Sequence, residues 1–372
     1  MNLEYRPIEQ GDKRALRRLA ARAFGPATGF MVSPEQGGHV ALDGGRVVGA
    51  TVLKVFTAGS RRIGLVDFIM VDPAAQSQGI ASRLNELAHA WFAEREADAL
   101  LALVEGYNQS SSKLFQSRGY RRLTLAEQLR VFGAGTLRVW LASFYVVAVG
   151  SFLWYREAGA DADRPAPDPE RTRPSSLAGV GAAVLINAFC MSLVYLAGGL
   201  PWTVPLAPAA IVGIPAVLIG VRTLVMALVA RARGLEVRFD AWTGGLPLGL
   251  VVGAIGGYVP LPGNVYPRAR SYRYRDVLPA IGPASFAAGF ALVLLHVALM
   301  VVDLPLSAPA WGEPLRGFAL SVIFPVILVD LLLPSFPLWG YLGRQVWNWS
   351  CVAWGAIAVA AVGSIVLRFV LG

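Results

Sequence analysis

The stretch Val71-Asp72-Pro73-Ala74-Ala75-Gln76-Ser77-Gln78-Gly79-Ile80-Ala81-Ser82-Arg83-Leu84 decides the fold of the first third of this chain. The residues before it, 63–71, are apolar and partly β-branched, and they read as a strand closed by Asp72-Pro73. After Gly79 the apolar residues Ile80, Leu84, Leu87 and Trp91 recur at helical spacing, so a helix begins there. A strand thus runs through a small-residue loop into a helix N-terminus. The first N–H groups of such a helix have no internal partner and carry partial positive charge, which suits a pyrophosphate. Gly79 lets the backbone approach a ligand closely, and Ala81 and Ser82 add no bulk. Many ordinary strand–helix turns share this composition, so the loop alone leaves both readings open.

The flanking elements place this turn in a mixed α/β domain. A short strand over 3–8 leads into an Arg/Ala-rich helix over 12–24, followed by a polar, Gly-containing stretch. Strands over 39–42 and 46–56 are separated by Asp43-Gly44-Gly45, residues that tolerate positive φ and mark a hairpin. A further strand covers 99–104.

Two motifs in this domain resemble the GNAT N-acetyltransferases. Gln76-x-x-Gly79-x-Ala81 matches that family's acetyl-CoA signature after a strand ending Val-x-Pro, with Ala at the second Gly position. The run from Asn108 through Ser111, Leu114 and Phe115 to Gly119-Tyr120 matches its later motif, and the strand over 99–104 lies between them. The resemblance implies direct transfer of an acetyl group from acetyl-CoA, as cosubstrate, to an amine. Carried over by position, Gln76, Ser77, Gln78, Gly79, Ile80, Ala81 and Ser82 would hold the pyrophosphate through backbone groups. Ile69, Met70 and Val71 would align the pantetheine and polarise the thioester carbonyl, and Asn108 and Ser111 would contact the cofactor arm. Asn108 would equally serve as a helix N-cap.

One departure concerns the chemistry. Many family members carry a tyrosine where this chain has Phe115, to protonate the leaving thiolate, and phenylalanine cannot do so. General-acid catalysis contributes roughly 10²–10⁴-fold, so transfer would be slowed unless water or another group substitutes. Asp67 is the first candidate for a general base and Glu105 the second, each against the simpler reading of a strand-end carboxylate.

Beyond about residue 130 the character of the chain changes. Hydrophobic residues make up 55% of the whole and charged residues 15%, well under the roughly 25% of a soluble domain, and mean hydropathy is +0.53. Five stretches, 176–200, 206–230, 281–302, 317–334 and 349–371, meet the length and apolarity of a transmembrane helix. Two more, 139–155 and the Gly/Pro-broken 241–262, could span or dip and return. The net charge of +9 resides largely in Arg-rich loops between apolar segments, which argues against nucleic acid and for a cytoplasmic side. With both ambiguous stretches dipping, the basic loops at 231–238 and 268–275 fall on one side, giving five spans. The predicted organisation is an acetyltransferase-like domain over 1–133, an apolar segment and polar linker over 134–175, and a multi-span domain over 176–372. The expected location is the cell membrane, with the N-terminal domain cytoplasmic because residues 1–6 lack the apolar core of a signal peptide.

The membrane part resembles the site-2 protease family of intramembrane zinc metalloproteases. Leu332-Leu333-Pro334-Ser335-Phe336-Pro337-Leu338-Trp339-Gly340 follows that family's Asn-x-x-Pro-x-x-Pro-Leu-Asp-Gly pattern, and 221–231 stands where its HExxH helix would be. Arg222, Thr223 and Met226 take the places of His, Glu and His, and Trp339 that of the ligand Asp. His39, His89 and His296 are scattered, so no metal site is expected. Cys190 and Cys351 lie in apolar segments and read as buried small residues. His296 is expected to bond a backbone carbonyl on a neighbouring helix, and Asp303 and Asp330 to face the headgroups at span ends. The leading function is a membrane-anchored N-acetyltransferase acting on an unidentified amine. The alternative is an acetyl-CoA-binding sensor on a protease-dead membrane domain that engages a membrane protein partner.

Overall fold

Gly44 and Gly45 both take positive φ, 56° and 83°, the turn geometry whose twist matches flanking antiparallel strands. They join β2 (Gly38–Asp43) to β3 (Arg46–Ala58) with Asp43 opposite Arg46. The computed structural model describes residues 2–25, 29, 32–35, 37–159, 175–197, 207–269, 272–301, 309–334 and 340–371. β1 (Leu3–Pro7) pairs antiparallel with β2, and β4 (Arg61–Val71) antiparallel with β3. β5 (Ala99–Glu105) runs parallel to β4, and β6 (Arg121–Arg122) pairs with β7 (Ser151–Glu157). The sheet order is β1-β2-β3-β4-β5-β7-β6.

Helices cover both faces, which is why β2 to β5 are almost continuously apolar rather than alternating. In α1 (Lys13–Phe24), Leu16, Leu19 and Ala20 fall at the spacing of one helix face and pack on Val40, Ala50, Val52 and Met70. On the other face, Ile80 and Leu84 of α2 (Ile80–Ala93) pack on Ala41 and Val48. A Cβ at Gly49 would lie 2.6 Å from Ile80 Cγ2, so only glycine lets β3 and α2 meet this closely. Three shorter helices follow, α3 (Gln109–Ser117), α4 (Leu125–Phe132) and α5 (Thr136–Ala142).

The apolar stretch 139–155 is not a membrane segment in this fold. It begins in the seven-residue α5, turns, and enters β7, a strand of the sheet. Its hydrophobicity is that of buried sheet and helix residues such as Val139, Trp140, Tyr145, Leu153 and Trp154. Periodicity could not separate this from a span, because a buried strand is apolar on both faces.

The chain divides into two compact units, one of Met1–Val104, Ser110–Tyr145 and Phe152–Thr172, the other of Glu105–Gln109, Val146–Ser151 and Arg173–Gly372. The second contains five helices long and apolar enough to cross a membrane among the described residues. They are α6 (Ser176–Ala197), α7 (Ala207–Ala232), α9 (Tyr274–Val301), α10 (Pro309–Ile327) with its π-helical continuation Leu328–Leu332, and α12 (Cys351–Leu371). α9 begins at Tyr274, through Pro279 and Pro283, rather than near 281. The other ambiguous stretch, 241–262, holds α8 (Leu246–Ala254) between the paired strands β8 (Val237–Asp240) and β9 (Asn264–Pro267). Nine residues of helix reach about 13 Å, less than half of an apolar bilayer core of roughly 30 Å. A short α11 (Leu342–Trp349) precedes α12.

Candidate cofactor-binding site

Asp72, at the end of β4, sets the shape of the loop that follows. Its backbone N–H donates to Val48 O (2.8 Å), its Oδ1 accepts from Ala74 N (3.1 Å), and its Oδ2 faces Arg46 (2.9 Å) and Arg22 (3.1 Å). Burial pushes this carboxyl up, but the Ala74 N–H and the two guanidiniums outweigh it and hold it below the usual carboxylate range. Nothing in the sequence marked Asp72 beyond its place before Pro73, since its partners come from distant elements. From this anchor, Gln76, Ser77, Gln78 and Gly79 run exposed to the start of α2, where Ile80 is buried, Ala81 half-buried and Ser82 exposed. Ser77 (φ 65°) and Gly79 (φ 75°) are left-handed, a strained state for serine. A Cβ on Gly79 would meet nothing within 4 Å, so glycine is favoured there by backbone conformation and not by space. The result is an open loop presenting the N–H end of a 14-residue helix.

Beside this loop, β4 leaves its neighbour. Val52 stands opposite Phe68 and Leu53 opposite Val66, so Asp67 is the extra residue of a β-bulge. The register between β4 and β5 runs only from Ile63↔Ala99 to Val66↔Ala102. Beyond it, Ile69, Met70 and Val71 keep their register with β3 alone. Their side chains are taken up by packing, Met70 towards α1 and Ile69 and Val71 towards α2. The β5-facing edge of that backbone is what β4 offers to an extended ligand.

The two candidate bases have different surroundings. Asp67 faces Lys54 Nζ at 2.7 Å; burial raises its pKa, and Lys54 offsets part of that. Glu105, the last residue of β5, belongs to the second unit. Its Oε2 accepts from Tyr107 N (2.9 Å), while its Oε1 is buried with no hydrogen-bond partner among the described residues. Burial pushes its pKa up to about 7, against the backbone N–H groups of Tyr107 and Asn108 and the charge of Arg344.

Asn108 immediately precedes α3 and Ser111 lies in its first turn, both half-buried. Phe115 is 2% exposed and meets the Tyr120 ring edge-on at 5.1 Å. The Tyr120 hydroxyl is 3.1 Å from His89 Nε2, and burial raises its pKa well above the ordinary value. Burial, with Arg156 and Arg118 nearby, lowers His89 to about 4, so its imidazole is neutral at physiological pH. Phe115 is thus an element of packing.

In the second unit, Arg222 and Asp330 form a buried pair. Arg222 Nε and Nη2 donate to the two Asp330 oxygens (2.7 and 3.2 Å), Nη1 donates to Gly263 O (3.0 Å) and Asn264 Oδ1 (3.3 Å), and Asp330 Oδ1 also accepts from Leu342 N (2.8 Å). Asp330 is 0% exposed, so the expectation that it faces headgroups is corrected: an arginine from α7 supplies the counter-charge. His296 also departs from expectation, pairing with the Ser364 hydroxyl (3.1 Å) rather than a carbonyl. Cys190 is buried as expected, but Cys351 is exposed. Among the described residues no group of three or more His, Cys, Asp or Glu could hold a metal ion. Residues 335–339, with Trp339, and Asp303 lie outside the described residues.

Comparison with known proteins bears on the first unit. Residues 5–120 match the acetyltransferase (GNAT) family. No curated protein matches the chain by sequence. Among solved structures, the ribosomal-protein-S18-alanine N-acetyltransferase from Escherichia coli is similar over 44% of this chain and 97% of its own, at 15% identity and TM-score 0.32. The ribosomal-protein-alanine N-acetyltransferase from Brucella melitensis is similar over 41% and 99%, at 18% identity and TM-score 0.31. N-acetylglutamate synthase from Neisseria gonorrhoeae, complexed with coenzyme A and N-acetyl-glutamate, is similar over 42% and 35%, at 20% identity and TM-score 0.30.

Proposed function

We propose that the region over residues 5–120, which matches the GNAT acetyltransferase family, transfers an acetyl group from acetyl-CoA to an amine, and that the long apolar helices beyond it anchor it in the cell membrane. The observation that carries this reading is the pairing of an open, left-handed loop at the start of α2 with the bulge that parts β4 from β5. These residues fit the cosubstrate: exposed N–H groups for a pyrophosphate, and a strand edge for an extended arm. When bound, acetyl-CoA supplies a thioester whose carbonyl is open to attack by a neutral amine. The backbone from Gln76 to Ser82 would hold the pyrophosphate, the N–H groups of Ile69 to Val71 would orient the carbonyl, and Asn108 and Ser111 would steady the arm. Glu105 is the better proton acceptor, because Asp67 is paired with Lys54 at 2.7 Å whereas Glu105 Oε1 has no hydrogen-bond partner among the described residues. The acceptor class, an amino sugar, a lipid headgroup, a polyamine or a protein amine, is set by elements that carry no motif. The basic loops at 231–238 and 268–275 favour a cytoplasmic first unit.

Titration of acetyl-CoA into the full chain in nanodiscs tests the reading; a fragment ending at 133 would strip β7 from the sheet. Gly79→Asp places a carboxylate at the helix N-terminus and forces a Cβ into left-handed backbone. Like-charge repulsion, with any shift of the loop away from its left-handed geometry, is expected to raise the dissociation constant about 100-fold, or about 2.7 kcal/mol. Equal binding by both proteins removes the loop from the site. A second reading, a binding sensor without catalysis that signals to a membrane protein partner through a protease-like scaffold, is favoured by the buried Phe115. Binding without acetyl transfer to any amine of a broad panel would select it.

A further inference from the structure

Among the described residues of the first unit, the exposed large apolar side chains are Leu129 (51%), Leu137 (57%), Leu141 (54%) and Phe144 (49%), all within sixteen residues on α4, α5 and the turn after them. Chance scatter would spread such residues over the surface. Buried neighbours on the same elements are hydrogen-bonded to one another. Trp140 Nε1 donates to Gln128 Oε1 (2.7 Å), Gln128 Nε2 donates to Leu123 O and Tyr145 Oη (both 3.3 Å), and Val139 and Tyr145 are fully buried. Phe144 is held at φ 57°, a conformation unfavourable for any residue with a Cβ, with Lys54 Nζ 5.2 Å from its ring. Arg130 and Arg138, both exposed, adjoin Leu129 and Leu137. Glu127, the acid on α4, is occupied by Arg121 and the Thr124 backbone and hydroxyl.

We infer that this face is a docking surface for a lipid bilayer, with the four apolar side chains entering the headgroup–acyl boundary and Arg130 and Arg138 at the level of anionic headgroups. The pattern of exposed Leu and Phe flanked by Arg is the one that interfacial binding requires. The occupant is identified by charge and by tether. The face carries the cations Arg130 and Arg138 while its acid, Glu127, is bonded to Arg121 and Thr124, and only residues 158–175 separate β7 from α6, the first of five helices able to cross a membrane. A tether that short keeps the local bilayer concentration high, so a modest patch suffices. The inference rests on the helical unit lying in the bilayer.

The test uses the full chain, with Cys351→Ser, in vesicles of seven parts phosphatidylcholine to three of phosphatidylglycerol doped with nitroxide lipid. An environment-sensitive fluorophore is placed at Leu137→Cys or Phe144→Cys, at Arg14→Cys on exposed α1, or at Val359→Cys on α12. Quenching at 137 and 144 is expected to exceed that at 14 several-fold, and Leu137→Asp with Leu141→Asp to lower it at 144 by at least half. Quenching at 137 and 144 no stronger than at 14 overturns the proposal, as does a blue-shifted fluorophore that lipid does not quench, which would mean a protein covers the face. Absence of quenching at 359 would instead sink the membrane placement itself, and the docking face with it. Should the double aspartate variant fail to fold, the single-cysteine comparison decides alone.

Discussion

Full-chain protein carrying Asp330→Ala is expected to lose a large share of its folded stability. The substitution leaves the Arg222 guanidinium, 1% exposed, without the carboxylate that accepts two of its hydrogen bonds. Breaking a buried pair by removing one partner costs about 3–5 kcal/mol, set against a total of roughly 5–15 kcal/mol for a typical domain. The loss has a second source, because Asp330 Oδ1 also accepts the Leu342 N–H at the start of α11. The paired substitution Arg222→Met with Asp330→Leu removes both charges, and it is expected to recover much of the loss, since apolar replacements of a buried pair are often neutral. Thermal unfolding of the purified protein in detergent measures both. An Asp330→Ala variant that melts with the parent would show that the ion pair contributes nothing; a paired variant no better than the single one would place the cost in the Leu342 contact.

Glu105→Gln is expected to lower kcat by roughly 10²–10⁴-fold, the range of a lost general base, with little change in acetyl-CoA affinity. Glutamine keeps an oxygen for the Tyr107 N–H, so the loop after β5 retains its local bond. The pH dependence adds a second readout. With its carboxyl raised from 4.5 to about 7 by burial, Glu105 accepts a proton only above that value, so the rate should climb through pH 7. Stability should move the other way. Between the unfolded and folded values the native state holds more protons than the unfolded chain, so unfolding free energy falls as pH rises across that window. Both trends are expected to vanish in Glu105→Gln. Unchanged turnover in the variant, or a flat parent profile between pH 5 and 8, would return the role of base to Asp67 or to water.

The turn at Gly79 was legible as structure because the signals that set it are local. Gly79 at a strand-to-helix junction, the apolar spacing of Ile80, Leu84 and Trp91, and the Asp43-Gly44-Gly45 turn all act within a few residues, and α2, β2 and β3 begin and end close to where those residues place them. The five long apolar helices were legible for the same reason, since length and hydropathy are additive along the chain. The stretch 139–155 was not. Its apolar residues belong partly to buried β7, partly to the underside of α5, and partly to an exposed patch, and one-dimensional hydropathy sums these into something that resembles a span.

The charged residues divide in the same way. Local sequence established that Arg222 and Asp330 lie in apolar segments, that Asp67 lies on a strand and that Glu105 follows one, because those facts depend only on neighbours in the chain. Which of these groups is paired depended on partners 13 to 108 residues away, Lys54 for Asp67 and Arg222 for Asp330. Glu105 Oε1 was left buried and without one among the described residues. A charge responds to the dielectric and the counter-charges around it, and those are assembled only when distant segments pack. Sequence alone therefore determined the two kinds of unit and the strand–loop–helix turn at Gly79; tertiary structure decided which carboxylates gained a counter-charge and joined Arg222 to Asp330.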